Sequence, residues 1–366
     1  MTTFPLGPYH PALSQPIGLS LKLRGETVAG VEAPISGYCR RGVQHLVAGM
    51  QVEQALGVME RSCGVAGQSA RLAVCRAIEA ATGAAPSARS RMVRAIFAEI
   101  ERVLARLWLL GLASRVAGQD AAFREALEAR EVLMEALEAQ TGERLFWAVA
   151  EPGGVRDPER FDDLEDLRAT MEDLAGPVLS WTAMAGPGGA LGRAGAGVAP
   201  IAAERARVMG LVGLAARAAG VEGDLRRDAP YGAYADFPFA WQADSLTPPT
   251  GGDAAARLGT AAVDLVASMR LLRVFFEMLP RVEDTAVVPG AERQGELTGH
   301  AAVEGPHGPV EARVVLATGG GIGRLRLETP GAGLITMLPE ILAGMPVALV
   351  PLALASLDLC MECVDL

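Results

Sequence analysis

Apolar side chains return every third or fourth residue through most of this chain, a spacing that commits its centre to helices. Met92 to Ala113 carries Ile96, Ile100, Val103, Leu107 and Leu110 on one face, with Glu99, Glu101 and Arg102 near another, the pattern of an amphipathic helix packed on a core. Phe123 to Gln140 repeats it. A third helical region is predicted around Phe161 to Leu179, after the turn at Glu151-Pro152-Gly153-Gly154, and further helices over Ala202–Ala219 and Ala254–Met278. From Gly42 to Thr82 the periodicity is interrupted at Gly64 and Gly67, which predicts two helices meeting near Cys63. The ends differ. Ile17 to Ala33 alternates apolar and polar residues around Gly25, as a hairpin does, while Val310–Val315 and Arg324–Leu327 read as strands and Leu334–Leu342 as a short helix. The fold class expected is mainly α with small β elements, an α+β chain. Gly186 to Gly197 is glycine-rich without the Lys-Ser/Thr ending of a phosphate loop, so it reads as a flexible connection.

Hydrophobic residues make up 50% of the sequence and charged ones 21%, enough apolar material to exclude wholesale disorder. The net charge of -10, with Lys22 the only lysine and no basic cluster, argues against nucleic acid as a partner. Met1 to Pro16 has no basic segment followed by an apolar one, so a cytoplasmic location is expected. The longest apolar run, Ile341 to Leu357, is broken by Gly344, Pro346 and Pro351 and falls short of the roughly 20 residues that cross a bilayer. Membrane attachment would therefore come through partners. Of the five cysteines only Cys360 and Cys363 form a close pair; Cys39 and Cys75 are expected simply to pack, and His300 and His307 to be loop residues rather than ligands.

Several motifs stand in a recognisable order. Gly7-Pro8-Tyr9-His10-Pro11-Ala12 opens the chain. Gly37-Tyr38-Cys39-Arg40-Arg41-Gly42-Val43-Gln44 follows, then Glu60-Arg61-Ser62-Cys63-Gly64-Val65-Ala66 and Cys75-Arg76-Ala77-Ile78-Glu79, and near the end Leu357-Asp358-Leu359-Cys360-Met361-Glu362-Cys363. Shorter matches between them include Pro152-Gly153-Gly154-Val155 and Gly295-Glu296-Leu297. In this order they resemble the large subunits of nickel-iron hydrogenases and the related quinone-site 49 kDa subunit of complex I, most closely the membrane-bound energy-converting branch. The resemblance implies one hydrogenase-large-subunit-like domain over 1–366, with a β cap at 1–36, a helical body at 37–285, and a β-containing region with the terminal Cys-x-x-Cys at 286–366.

The resemblance also implies a site. In the family two Cys-x-x-Cys pairs hold a nickel-iron centre, and thiolate sulfur makes nickel electron-rich enough to handle hydride. Cys360 and Cys363 supply one pair, but Cys63 is followed by Ala66, so a bridging ligand is missing and no obvious substitute is apparent. Ala70 stands where a supporting histidine is expected. The cofactor and metal positions are thus Cys63, Cys360 and Cys363, and the catalytic positions Gln44, Arg40, Arg41 and Asp358. Gln44 replaces a proton-relaying glutamate, which an amide cannot imitate, and Arg40 replaces a histidine beside the quinone headgroup with a permanent cation. Arg41 and Asp358 are expected to form an ion pair or hydrogen bonds where the two cysteine segments meet, and Cys63 to lie close to Cys360 and Cys363. The function implied is an electron-transfer subunit of a hydrogenase-like or complex-I-like oxidoreductase, its hydrogen-cleaving site altered, passing electrons to a quinone or another small oxidant. No bound cofactor is expected. The implied partners are a small iron-sulfur subunit and membrane-arm subunits, on the cytoplasmic face of a membrane. Two alternatives remain open here: a working nickel-iron hydrogenase with a fourth ligand not identified, and a non-catalytic scaffold joining the iron-sulfur subunit to the membrane arm.

Overall fold

The computed structural model describes residues 1–35, 41–237, 249–282, 295–364 and 366. β1 (Thr2–Leu6), β2 (Gly18–Arg24) and β3 (Thr27–Ile35) form an antiparallel sheet in the order β1-β2-β3. The expected hairpin is β2 and β3. β1 is additional: Pro5 breaks its alternation, and an edge strand is where proline is tolerated. Next come α1 (Val43–Leu46), α2 (Val52–Glu60) and α3 (Gly67–Thr82), which leave Cys63 in the turn between α2 and α3, as the spacing predicts.

α4 (Ala88–Val116) begins where the Ser87 hydroxyl accepts the Ser90 N–H at 3.1 Å, a side-chain cap for one otherwise orphaned donor. It packs between α5 (Asp120–Thr141) and α13 (Ala254–Met278). The periodicity predicts a buried amphipathic helix, and α4 is buried on its polar side as well as its apolar one. Glu99, Glu101, Arg102 and Arg106 are all buried, because α13, the C-terminal strands and the terminal helices cover that side as well. These charges pair with one another and with neighbouring elements rather than with water.

The two-residue strands β4 (Ala150–Glu151) and β5 (Gly154–Val155) precede α6 (Glu165–Asp173), α7 (Ala175–Ala185) and α8 (Ala190–Gly195). α8 corrects the expectation of a flexible connection over 186–197: Leu191, Gly192 and Gly195 are buried, and the helix seats against the start of α13. Glycine permits that approach, since a Cβ at position 195 would lie 2.6 Å from the Ala255 nitrogen. α9 (Ala203–Val208) and α10 (Gly213–Ala218) divide the helix predicted over 202–219 at Gly210, and α11 (Leu225–Asp228) and α12 (Ala233–Asp236) are single turns before α13.

The C-terminal strands β6 (Leu297–Gly305), β7 (Gly308–Leu316) and β8 (Ile322–Glu328) form an antiparallel sheet laid on α3. β7 and β8 match the strands predicted, and β6 is additional. α14 (Ala332–Leu342), α15 (Val350–Ser356) and α16 (Met361–Val364) complete the chain, giving the mixed α and β class expected from the sequence. The two ends of the chain meet: Val28 donates to the Met345 carbonyl at 2.9 Å, Gly344 donates to the Val28 carbonyl at 2.8 Å, and Leu19, Leu21 and Val28 share a core with Leu338, Ile341 and Leu342. Among the described residues, no helix is long and apolar enough to cross a membrane.

Replacing Gly195 with alanine should therefore force α8 off α13. The expected cost is about 1–3 kcal/mol, the usual penalty for overpacking against backbone that cannot yield. A drop in the urea midpoint with unchanged slope checks it, and an unshifted midpoint would show that the interface relaxes freely.

Candidate thiol and metal centre

The turn between α2 and α3 is held from both sides. Glu60, fully buried, accepts from Arg71 at 3.2 Å and from the Ala148 N–H at 2.9 Å, while Arg71 also donates to the Ala150 carbonyl at 2.6 Å. The glutamate opening this motif is thus structural. A Cβ on Gly67 would stand 2.3 Å from the Glu60 carbonyl oxygen, so only glycine lets α3 start this close to the end of α2. Within the turn the Val65 and Ala66 N–H groups point at the Cys63 sulfur at 3.4 and 3.3 Å. The terminal pair repeats the device: the Cys363 N–H lies 3.3 Å from the Cys360 sulfur. Backbone donors aimed at sulfur favour the thiolate.

These two turns meet. The sulfurs of Cys63 and Cys360 are 3.5 Å apart, and Cys63, Ala66, Cys360 and Cys363 form a small buried cluster. The proximity expected of Cys63, Cys360 and Cys363 is therefore present, with the methyl of Ala66 buried among them. One more donor joins. His307, in the turn between β6 and β7, brings a ring nitrogen into the group, and the four ligand atoms lie within 4.8 Å of one another. This corrects the view of His307 as an uninvolved loop residue and of the site as lacking a fourth donor; a histidine distant in sequence offers no spacing signal. His300 lies on β6, exposed, 3.2 Å from Glu311 on the paired strand.

His307 Nδ1 faces Asp358 Oδ2 at 3.0 Å, at ion-pair rather than hydrogen-bond geometry, and its side chain is only 9% exposed. Burial opposes the imidazolium charge, but the Asp358 carboxylate and the nearby thiols hold His307 well above the usual histidine range. Burial likewise works against the Asp358 charge, and His307 with Arg106 keeps its carboxyl below the ordinary value. Arg106 lies 2.7 Å from Asp358 and 3.2 Å from Asp264 and donates to the Pro306 carbonyl. Asp358 thus pairs with Arg106 and His307 rather than with Arg41. Arg41 instead donates to the Glu362 carbonyl at 2.7 Å. Among the thiols, hydrogen bonds from Cys363 and Cys63 hold Cys360 well below the usual value, and the donating role pushes Cys363 up.

Three further side chains frame the centre, and the motifs assign a role to none of them. Gln15 donates to the Cys360 sulfur at 3.4 Å and to Glu362 at 3.2 Å, and Glu362 in turn accepts the Gly64 N–H at 2.9 Å. Glu101 accepts from the Gln68 and Ser69 N–H groups at 2.6 and 3.0 Å, at the start of α3 beside Cys63. Of the three, Glu362 carries a signal in the sequence, since it stands inside the terminal Cys-x-x-Cys. Gln44 is placed elsewhere: its amide donates to and accepts from the Leu327 backbone on β8, at 3.2 and 3.1 Å. Cys75 is buried, pushed up to about 12 by desolvation, and points its thiol at the Ala150 carbonyl. Arg40 and Cys39 lie outside the described residues.

A cavity of ≈ 230 Å³ opens beside the centre, and His307, Asp358, Leu211, Leu214 and Leu334 are among the residues that line it. The donor set does not match the nickel-iron pair that the cysteine motifs imply. Such a pair needs four thiolates, two of them bridging, and position 66 offers a methyl group.

Comparison with known proteins agrees with the fold and with the family that the motifs resemble. The family described as "Respiratory-chain NADH dehydrogenase, 49 Kd subunit" matches residues 117–297. The chain is 27% identical to a carbon monoxide-induced hydrogenase of Rhodospirillum rubrum over 99% of both chains. It is 30% identical to an NADH-quinone oxidoreductase subunit of Sinorhizobium medicae over 75% of this chain and 67% of that one. Its fold is that of a chain in the membrane-bound sulfane sulfur reductase, an archaeal respiratory membrane complex, with a TM-score of 0.86 at 23% identity, covering 100% of this chain and 98% of that one.

Two outcomes follow from the buried charges. Arg106→Met takes from Asp358 and Asp264 the guanidinium they share, leaving them His307 and Arg217 alone, and should cost about 3–5 kcal/mol, measured by denaturant unfolding; a loss below about 1 kcal/mol would mean water reaches the site. Burial pushes the Glu101 carboxyl up to about 8 despite its donors. A raised acid favours folding below its unfolded value, near 4.3, and that contribution is lost as pH rises toward the folded value. Between pH 5 and 8 the chain should therefore lose stability relative to a Glu101→Gln variant, and parallel pH profiles would refute this.

Proposed function

We infer a function from one premise: the chain belongs to the family of the 49 Kd subunit of respiratory-chain NADH dehydrogenase, whose members here include hydrogenase-like and complex-I-like oxidoreductase subunits. The chain is an electron-transfer subunit of such a complex in which hydrogen is not the substrate. It takes electrons from a small iron-sulfur subunit and passes them to a small oxidant in the cavity beside His307. Membrane-arm subunits hold it to the cytoplasmic face of a membrane.

The observation that carries this reading is the convergence of Cys63, Cys360, Cys363 and His307 around a buried Ala66. The thiol-rich redox architecture is kept, while the fourth sulfur that would bridge two metals is replaced. The ≈ 230 Å³ cavity is below the 300–1,000 Å³ of pockets for drug-sized ligands, which favours a compact oxidant over a long-tailed quinone. His307 and Asp358 are among its lining residues and supply its charged and proton-bearing groups, with Arg106 behind Asp358.

The test is the native complex purified anaerobically. It should reduce a small oxidant with electrons from its iron-sulfur partner and evolve no hydrogen, even in an Ala66→Cys, Gln44→Glu double variant expressed with a full maturation set. Asp358→Asn should lower oxidant turnover on the order of 10–100-fold, as loss of a supporting carboxylate does at comparable centres. Hydrogen evolution by the unmodified complex, with about one nickel per chain, would refute the reading.

A further inference from the structure

We propose that Cys63, Cys360, Cys363 and His307 bind a single zinc-type divalent ion in tetrahedral coordination. The inference deepens the function above and rests on it, because it concerns the same centre. Three sulfurs and one imidazole nitrogen, with no carboxylate among them, form a soft donor set that selects zinc-like ions over calcium or magnesium. The distances suit one ion. Donors at 2.0–2.3 Å on a tetrahedron stand roughly 3.3–3.8 Å apart. The Cys63 and Cys360 sulfurs are already 3.5 Å apart, and none of the four ligand atoms is beyond 4.8 Å from another, so small side-chain rotations close the site. All four are largely buried, as in structural sites that leave no open position.

Two further observations point to an ion. The His307 ring is buried against Asp358 and the Cys63 and Cys360 thiols with neither nitrogen in good hydrogen-bond geometry, a costly state that a metal in place of the thiol hydrogens would relieve. Its Nδ1 faces Asp358, itself fixed by Arg106, which is the carboxylate-histidine-metal relay that orients a ligating imidazole. Backbone N–H groups are aimed at the Cys63 and Cys360 sulfurs whether or not position 66 carries a side-chain donor, as they are around metal-bound sulfur.

The experiment uses the full chain in its complex, purified anaerobically, with elemental analysis followed by replacement with Co²⁺. About one zinc-type ion per chain is expected, and Co²⁺ should give the intense ligand-field absorption of four-coordinate cobalt together with a thiolate-to-cobalt charge-transfer band. His307→Ala should keep the charge-transfer band, alter the ligand field and weaken Co²⁺ binding by roughly tenfold or more. Cys360→Ser should abolish binding, and Cys75→Ser should leave it unchanged. If Cys360→Ser fails to fold, the unmodified spectrum and the His307→Ala shift decide alone. Metal-free chain, a Cys63–Cys360 disulfide in its place, or cobalt binding indifferent to His307 would each overturn the inference. Metal-free complex that still reduces the oxidant overturns only this inference. Nickel and iron together with hydrogen evolution overturn the proposed function as well.

Discussion

Arg106 stands buried in α4 and touches three distant stretches of chain: Asp358 just before the terminal cysteines, Asp264 on α13, and the Pro306 carbonyl in the turn between β6 and β7. A guanidinium presents its donors in a rigid planar fork and cannot shed its proton, so burying one fixes the positions of whatever satisfies it. Cys360 follows Asp358 by two residues and His307 follows Pro306 directly. One arginine therefore sets where the terminal thiols and the imidazole stand relative to the helix that also carries Glu101, beside the turn of Cys63.

The fork continues into a larger ionic network. Asp264 also pairs with Arg217, which lies 3.6 Å from Glu304 and 4.0 Å from Asp224; Arg226 joins Asp224 at 2.6 Å to Glu99 at 2.9 Å. Tyr234 and Ser268 donate to Glu99, and Arg102 reaches the Glu304 and Gly305 carbonyls. In a low-dielectric interior each ion is tolerable only while its partner stays in place, so removing one member costs far more than any pair contributes by itself. Among the described residues, five carboxylates, Glu99, Asp224, Asp264, Glu304 and Asp358, face four guanidiniums, Arg102, Arg106, Arg217 and Arg226. Glu304 is pushed up to about 7 by burial and by Asp224, and His307 is held protonated by Asp358; either proton completes the balance.

How much of this is legible in the sequence depends on how local each signal is. The helices from α2 to α5, α13, the β2-β3 hairpin and the Cys63, Cys360 and Cys363 motifs can be read because periodicity and short spacings lie along the chain. The burial of Glu99, Glu101, Arg102 and Arg106 cannot, because periodicity reports which residues are polar and is silent on whether each polar group finds a buried partner. β6 escapes because Gly299, Ala301 and Ala302 dilute its alternation, and with it goes the Gly305-Pro306-His307-Gly308 turn that delivers the histidine. The glycine-rich stretch ending in α8 misleads in the opposite sense: small residues suggest slack, whereas they permit close packing against α13. Gln44 and Arg41 stand out by motif alone, and both donate to backbone carbonyls of later segments.

The alanine at position 66 shows how one side chain sets the chemistry of a centre whose backbone is unchanged in kind. The Ala66 N–H still points at the Cys63 sulfur, so the turn that presents this sulfur does not need a cysteine at position 66. What a cysteine would add is a further sulfur with lone pairs able to reach two metals at once. Imidazole cannot take that part: His307 has one lone pair per ring nitrogen, and the Nδ1 side is turned to Asp358, leaving Nε2 to serve one metal only. With four sulfurs two metals can share bridges. With three sulfurs and this histidine the donors close around one ion, and the open coordination position that hydride chemistry requires is gone. The turnover proposed for this chain then falls to the cavity lined by His307 and Asp358 rather than to an exposed metal.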